Sequence, residues 1–391
     1  MLSMITPSNP SDAYAGLRAA GPVHRISGSD GKPAWLVTRY DDVRQALADP
    51  RLSLDKRNGL PGNYRGMALP PALDANLLNL DPPDHTRIRR LVSQAFTTRR
   101  VDALRAPIRS TAEALLDEVI AAGTADLLSA YAAPLPIAVI CDLLGVPEEA
   151  RTDFRQWTDV LVAPDPSRPD EARQAIGAML AFFAELISSK RAAPGDDLVS
   201  DMIAAQDEGD RLSDDELTSL VFLILFAGYE NVVHLIGNAT IALLDDPEQW
   251  KRLQADRSLI PAAVEEFLRY DGPAPLAIRR FPLVDVTIGG ELIPAGETVL
   301  LGIASANRDA TRFPDADRLD FDRVTAGHLA LGHGIHYCLG APLARLETAI
   351  ALDVLLDRAP RLRLAVPREE LEWRPSIRTR GLTALPIAVR P

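Results

Sequence analysis

Sulfur is scarce in this chain: only two cysteines, Cys141 and Cys338, occur among 391 residues, nearly two hundred positions apart. That is no framework for a secreted disulfide protein and too few thiolates for a zinc site, so a reducing, cytoplasmic location is expected. The N-terminus lacks both the basic start and the apolar run of a secretory signal. Long hydrophobic runs are missing as well. The stretch from Leu217 to Gly228 is too short to span a bilayer, and Ala130 to Val146 is interrupted by Pro134, Pro136 and Asp142. A soluble chain with no membrane partner is therefore expected. Positive charge is in deficit, with 42 Lys plus Arg against 54 Asp plus Glu and a net charge of −12, which opposes attraction to nucleic-acid phosphates. No fixed-period repeat, Gly/Ser linker or low-complexity tract marks a boundary.

What the chain has is apolar bulk. At 47% hydrophobic content it can bury a sizeable core, and the default reading is one large domain over residues 1–391, mainly α with small β-sheets. Ala34 to Thr38 reads as a strand, and Tyr40 to Asp49 as a short helix ended by Pro50. Helical spacing dominates from Asp84 to Leu268. Short β-like runs follow between Ala277 and Leu301, including Val284 to Ile288 before Gly289-Gly290, and again from Leu382 to Val389. The longest helix opens at Ser213-Asp-Asp-Glu216, a capping box, and runs to Leu244 before Asp245-Asp246-Pro247. Its roughly 30 residues span about 45 Å, so it must cross the interior.

Two constellations carry chemistry. Inside the long helix stands Ala227-Gly228-Tyr229-Glu230-Asn231. Ala227 and Asn231 are four apart and share a face, while Gly228 lacks a side chain three residues before Asn231, so the spacing predicts a notch flanked by an amide. A buried carboxylate at Glu230 must reach solvent, a cation or a hydrated cavity. The alternative is a helix-packing glycine beside a solvated acid. The second constellation runs from Leu331 through Gly332, Gly334, His336, Cys338 and Gly340 to Pro342 and a helix. Cys338 stands just before that helix start, where unpaired amides and the dipole favour a thiolate as ligand or nucleophile. Cys141, in an apolar run, reads as a small buried hydrophobe.

The pattern Gly332-x-Gly334-x-His336-x-Cys338-x-Gly340 resembles the haem-binding loop of the cytochromes P450, the haem-thiolate monooxygenases, and is closest to soluble bacterial members. Supporting segments lie in the family's order: Ala227-Gly-x-Glu230, Glu266-Phe-Leu-Arg269, Arg323 after Phe321-Asp322, and His85-Thr-Arg-Ile-Arg89. The resemblance implies that Cys338 is the axial thiolate of haem b, iron protoporphyrin IX, with the following amides toward Gly340 hydrogen-bonded to sulfur. It implies that His85, Arg89, Arg280 and His336 hold the propionates, although His85 and Arg89 also read as an ordinary solvated helix face. Glu266, Arg269 and Arg323 match a structural charge cluster, and Ala227, Gly228, Glu230 and Asn231 match the oxygen-activation segment. Leu225, Tyr229, Leu276, Ala277 and Ile377 are the substrate-wall candidates it implies, with residues 57–80 as a lid. Two departures stand out. Leu331 replaces the aromatic that usually opens the loop, and Asn231 stands where most members carry threonine. An amide hydrogen-bonds but relays protons poorly, so a substrate hydroxyl or a water held by Asn231 is expected to complete the proton path.

The chain has no Gly-rich dinucleotide fingerprint and no cysteine cluster for iron–sulfur, so electrons originating in NAD(P)H must arrive through partners, a ferredoxin and its reductase. Between His85 and Arg109 seven arginines (87, 89, 90, 99, 100, 105, 109) face one acid, Asp102, a local excess of six positive charges to which an acidic ferredoxin would be steered; the rival is that they only coat a helix and hold propionates. The expected reaction is hydroxylation or epoxidation, with O2, of a medium to large, mainly apolar substrate such as a polyketide or terpenoid secondary metabolite. Oxidative coupling or desaturation, and a haem-based gas sensor, are the alternatives. A thiol hydrolase built on His336 and Cys338 lacks a nucleophile elbow and an orienting Asn or Asp.

Overall fold

The reciprocal bonds that the Ser213–Glu216 spacing predicts are formed: Ser213 N donates to Glu216 Oε2 at 2.8 Å, and Glu216 N donates to Ser213 Oγ at 3.1 Å. They open a 32-residue helix, Asp214–Asp245, in a computed structural model that describes residues 10–28, 31–62, 76–93, 96–162, 168–207 and 212–389. The most apolar window of this helix has a mean hydropathy of 1.8, and 71% of it is buried within the fold, as in the core helix of a globular chain.

The strands are short: β1 Val23–Ser27, β2 Pro33–Val37, β3 Leu52–Ser53, β4 Thr124–Asp126, β5 Phe281–Pro282, β6 Val286–Ile288, β7 Glu291–Ile293, β8 Val299–Leu301, β9 Arg363–Leu364 and β10 Pro386–Ala388. β2 pairs antiparallel with β1 and parallel with β8; β10 lies between β4 and β9; β3–β5 and β6–β7 form two-stranded pairs. Strand β6 begins at Val286 rather than Val284. Of the expected 382–389 run only Pro386–Ala388 is strand, with Leu382 in an isolated bridge to Trp373. Both are short pairings limited by their partners' length, which local composition does not encode.

The chain divides into two compact units, one of residues 1–68, 112–132 and 231–391, the other of 69–111 and 133–230. Two of the four crossings between the units fall inside helices, between Glu230 and Asn231 of the long helix and between Thr111 and Ala112 of Arg105–Ala122, where no linker can mark them. The first unit holds all ten strands and a core in which Val37, Val43, Leu301 and Phe313 are buried. The second is helical and packs Phe154, Trp157, Phe182 and Phe183 as an aromatic cluster with centroids 5.6–6.1 Å apart. Cys141 is fully buried there, and burial pushes its thiol up to about 12, an inert state.

Helix Ile260–Asp271 organises the first unit through two consecutive carboxylates. Glu266 and Arg269, both fully buried, form a two-pronged pair at 2.6 and 2.7 Å, and Arg323 Nε adds 3.2 Å to the same carboxylate. Arg269 also donates to the carbonyls of Asn307 and Ala316 at 3.0 and 2.8 Å. Next door, Glu265 accepts from His328 Nε2 at 3.0 Å and Arg345 Nη2 at 2.9 Å. Burial alone would raise Glu265, but the bonds from Arg345 and His328 outweigh it and hold the carboxyl at about 2. By contrast Glu347, buried in helix Ala341–Arg358, has Oε2 with no hydrogen-bond partner among the described residues, and burial pushes it up to about 8.

These two glutamates have opposite pH signatures. Glu265, depressed from 4.5, contributes stability present above about pH 4.5 and lost as pH falls toward about 2; urea unfolding of Glu265→Gln should show a flatter acid limb than wild type. Glu347, raised from 4.5, stays protonated in the fold while the unfolded chain ionises, so its contribution worsens as pH rises from about 4.5 to about 8. Glu347→Gln should therefore raise the melting temperature more at about pH 8 than at about pH 5, and an equal change at both would show that the group is not titrating in this window.

Candidate functional site

The loop that carries Cys338 is closed by its own backbone. Gly332 N donates to Leu329 O and Cys338 N to Leu331 O, each at 2.8 Å, around a single 3-10 turn, Gly334–His336. Gly332 and Gly334 hold φ of +76° and +75°, conformations that L side chains rarely adopt, and a Cβ at Gly334 would stand 3.2 Å from Ala48 Cα. The entry is pinned by Leu329 N to Asn307 Oδ1 at 2.7 Å. The exit is held where Arg345 Nη1 meets Tyr337 Oη at 3.2 Å, with Arg345 on Glu265. Helix Ala341–Arg358 starts three residues after Cys338, with Pro342 in its first turn and Gly340 as its cap. The Cys338 side chain is exposed. A Cβ built on Gly340 meets nothing within 4 Å, so neither protein packing nor its φ of −80° demands glycine there.

Near this loop in sequence sits His336, half-buried in the 3-10 turn. Arg280, only 2% exposed, is fixed by paired backbone bonds of 2.9 Å to Val299 of β8 and donates Nη1 to Ile278 O at 2.7 Å. In the second unit His85 and Arg89 stand one turn apart on helix Asp84–Ser93. His85 is 2% exposed and does not sit on a solvated face; burial first, and the Arg89 cation second, lower its pKa.

On the long helix, exposure follows one stripe. Ala227 and Asn231 are exposed, with Leu223, Ile224, Gly228 and Glu230 half-buried beside them, while Val221, Phe222, Leu225, Tyr229 and Val232 are buried. Leu223, Ile224, Ala227, Glu230 and Asn231 span about 120° on a helical wheel, with Ala227 and Asn231 about 40° apart near its middle. Leu225 and Tyr229 lie on the opposite side and are buried, so the expectation that they form a substrate wall is corrected: they are core. Leu223 and Ile224 are the half-buried apolar residues on the Asn231 stripe, and a helical wheel drawn from Asn231 would have found them. Gly228 faces Ile140, whose Cδ1 would lie 2.8 Å from an added Cβ, so it serves close packing rather than the notch. Leu276 and Ile377 belong to one apolar cluster with Ile26, Ala34 and Leu36, and Ala277 packs on the neighbouring core. Most of the expected lid, residues 63–75, lies outside the described residues.

Two of the arginines are neutralised by acids from outside the segment, and a third pairs with the one acid inside it. Arg87 pairs with Glu216 at 2.5 Å and Asp84 at 3.4 Å, Arg100 with Asp201 and with Asp196 at 3.3 Å, and Arg105 with Asp102 at 3.5 Å. Arg99 is exposed. Counting charges along the sequence missed these partners because most of them lie about a hundred residues away. Sequence reading also missed Glu265, masked by the more recognisable Glu266 beside it.

Comparison with known proteins agrees with the loop. The cytochrome P450 family model matches residues 137–370. The chain is 48% identical to the cytochrome P450 monooxygenase PikC of Streptomyces venezuelae over 98% of its length and 92% of the relative's. It is 44% identical to the 6-deoxyerythronolide B hydroxylase of Saccharopolyspora erythraea, covering 96% and 94%. Among solved structures, the myxobacterial cytochrome P450 CYP267B1 in complex with myristic acid superposes with a TM-score of 0.93 at 41% identity, covering 100% of this chain and 99% of that one. A thiol-bearing loop on this fold, shared over nearly the whole chain with such relatives, makes the protein a cytochrome P450, a haem-dependent monooxygenase.

Proposed function

We propose that Cys338 supplies the thiolate that ligates haem b and that the enzyme hydroxylates or epoxidises a medium to large, mainly apolar secondary metabolite of polyketide type. The observation that carries this is the exposed thiol of Cys338, presented by a loop fastened at both ends and followed by a glycine that protein contacts do not require. The donor chemistry supports it. A single thiolate donor would suit an iron whose other, protein-independent ligands come from a porphyrin. Arg280 and, by the same correspondence, Arg89 supply cationic donors for propionates, and His336 and His85 supply imidazole N–H donors. When bound, haem supplies the activation of O2 from which one oxygen atom enters an unactivated C–H or C=C bond.

The chain's own residues then position and protonate. Asn231, exposed on the open stripe, holds a water or a substrate hydroxyl with its amide, and half-buried Glu230 beside it links that water to solvent. Leu223, Ile224, Leu276 and Ile377 offer apolar surface to the substrate. Glu266, Arg269 and Arg323 retain the fold around the cofactor. Electrons from NAD(P)H reach the enzyme through a ferredoxin and its reductase, with Arg99 as a landing residue, in a cytoplasmic protein whose two units act as one monooxygenase domain.

Four outcomes are expected. The holoenzyme, reduced and exposed to CO, should give the thiolate-type Soret band, and Cys338→His should give a globin-type one; a globin-type band in wild type refutes the ligand. Spectral titration with 6-deoxyerythronolide B should displace iron-bound water. With surrogate partners, Asn231→Ala should lower product formed per NAD(P)H consumed by roughly threefold or more, and unchanged coupling removes Asn231 from the proton path. Arg99→Glu should slow reduction by ferredoxin about two- to tenfold at low salt, less at high salt; an unaltered rate retires this docking position.

A further inference from the structure

The turn that carries Ile377 is held from behind by the long helix. Its limbs meet in a Trp373–Leu382 bridge, and Arg374 N donates to Gly381 O at 2.9 Å. On the returning limb, Arg380 is fixed on every side. Its N donates to Pro273 O at 2.8 Å, its Nε to Asp271 Oδ1 at 3.0 Å, and its guanidinium lies 3.2 Å from the Trp373 ring centroid. Asn238, buried on the long helix, donates Nδ2 to the carbonyls of both Arg380 and Asp271, at 3.0 and 2.9 Å. One amide thus ties the turn to the end of helix Ile260–Asp271. The next residue, Gly381, lies flat on an imidazole: a Cβ there would stand 2.0 Å from His234 Nδ1 and 2.4 Å from Cγ. Its φ is not in the left-handed region, so this contact alone excludes a side chain. His234 and Asn238 follow Asn231 at three and seven residues, along the same side of the helix.

We propose that His234 and Asn238 are specificity-positioning residues: the imidazole sets how close the 373–382 turn comes to the long helix, the amide locks it there, and together they fix where Ile377 stands against Leu276. The proposal rests on the reading of Ile377 and Leu276 as substrate wall. Neither residue touches substrate; each acts through the backbone of Arg380 and Gly381. Removing the imidazole lets the turn settle toward the helix and widens the pocket, whereas a methyl on Gly381 drives it the other way. Losing the Asn238 amide takes its donor from two partly buried carbonyls and frees the limb.

The test uses the holoenzyme and two probes of different bulk, 6-deoxyerythronolide B and myristic acid, with dissociation constants from spectral titration and the Ile377 methyl resonance from NMR. His234→Ala and Asn238→Ala should move that resonance and shift the ratio of the two dissociation constants at least about threefold toward the bulkier probe. Adding Ile377→Ala to Asn238→Ala should change the ratio by less than the two single effects combined, because both act on one wall. Gly381→Ala should favour the slender probe, and His234→Ala in the same chain should rescue it, which a generally damaged fold would not show. An unmoved Ile377 resonance, or a ratio that responds to Ile377→Ala but not to Asn238→Ala or His234→Ala, overturns the proposal alone. A ratio indifferent to Ile377→Ala overturns the wall reading with it.

Discussion

Two adjacent carboxylates on one helix, Glu265 and Glu266, govern how the thiol is presented. Glu266 and Arg269 are buried completely; without Glu266 the Arg269 cation would be left among carbonyls, and without Arg269 the carboxylate would keep only Arg323, and breaking such a pair costs on the order of 3–5 kcal/mol. The pair is never isolated: Arg269 grips Asn307 O, and Asn307 Oδ1 receives Leu329 N, the residue from which the Cys338 loop departs. Glu265 reaches the same loop from its other end, through His328 before it and Arg345 with Tyr337 after it. A loop with two left-handed glycines has many conformations open to it when unfolded. Fastening both ends to one rigid helix is what makes a single presentation of sulfur affordable.

Much of this was legible in the sequence wherever a local rule operates. The capping box, the proline in the first turn after Cys338 and the positive-φ glycines each depend on residues within a few positions, and each fell where the spacing put it. Glu266, Arg269 and Arg323 came together as the family resemblance implied. The rest was illegible for an equally physical reason. Leu225 and Tyr229 are apolar and near Glu230 in sequence, but a helix turns 100° per residue, and two positions from Ala227 is the far side of the cylinder. The division into two units was hidden where two of its four crossings cut helices, in which composition has no cause to change. Residues 63–75 bear on the lid expectation and lie outside the described structure.

Charge shows the same limit in another form. Counting seven arginines against one acid between His85 and Arg109 treats the segment as if it stood alone in water. In the fold Glu216 and Asp201, 129 and 101 residues away in sequence, close on Arg87 and Arg100 and remove much of the field those two cations would project. Each exposed pair adds little stability. Their effect on long-range steering is larger, because a paired cation presents a dipole where a partner would otherwise meet a monopole.

The same anchoring helix, Ile260–Asp271, also ends on the substrate side. Asp271, its last residue, meets Arg380 with its carboxylate and Asn238 with its carbonyl, while Glu265 and Glu266, two turns earlier, hold the thiol loop. The two networks share a rigid rod but no hydrogen-bonding group. A rod transmits position without transmitting small side-chain rearrangements, so a change at Asn238 or Arg380 can move the Ile377 turn while the bonds at Glu265 and Glu266 keep their lengths. That separation lets the wall vary in shape without disturbing sulfur, since the energetic coupling of groups with no shared partner is small. Under the proposed function the long helix completes the division, with Asn231 toward the reacting oxygen and Asn238, two turns on, tied to the carbonyls of Asp271 and Arg380 behind the wall.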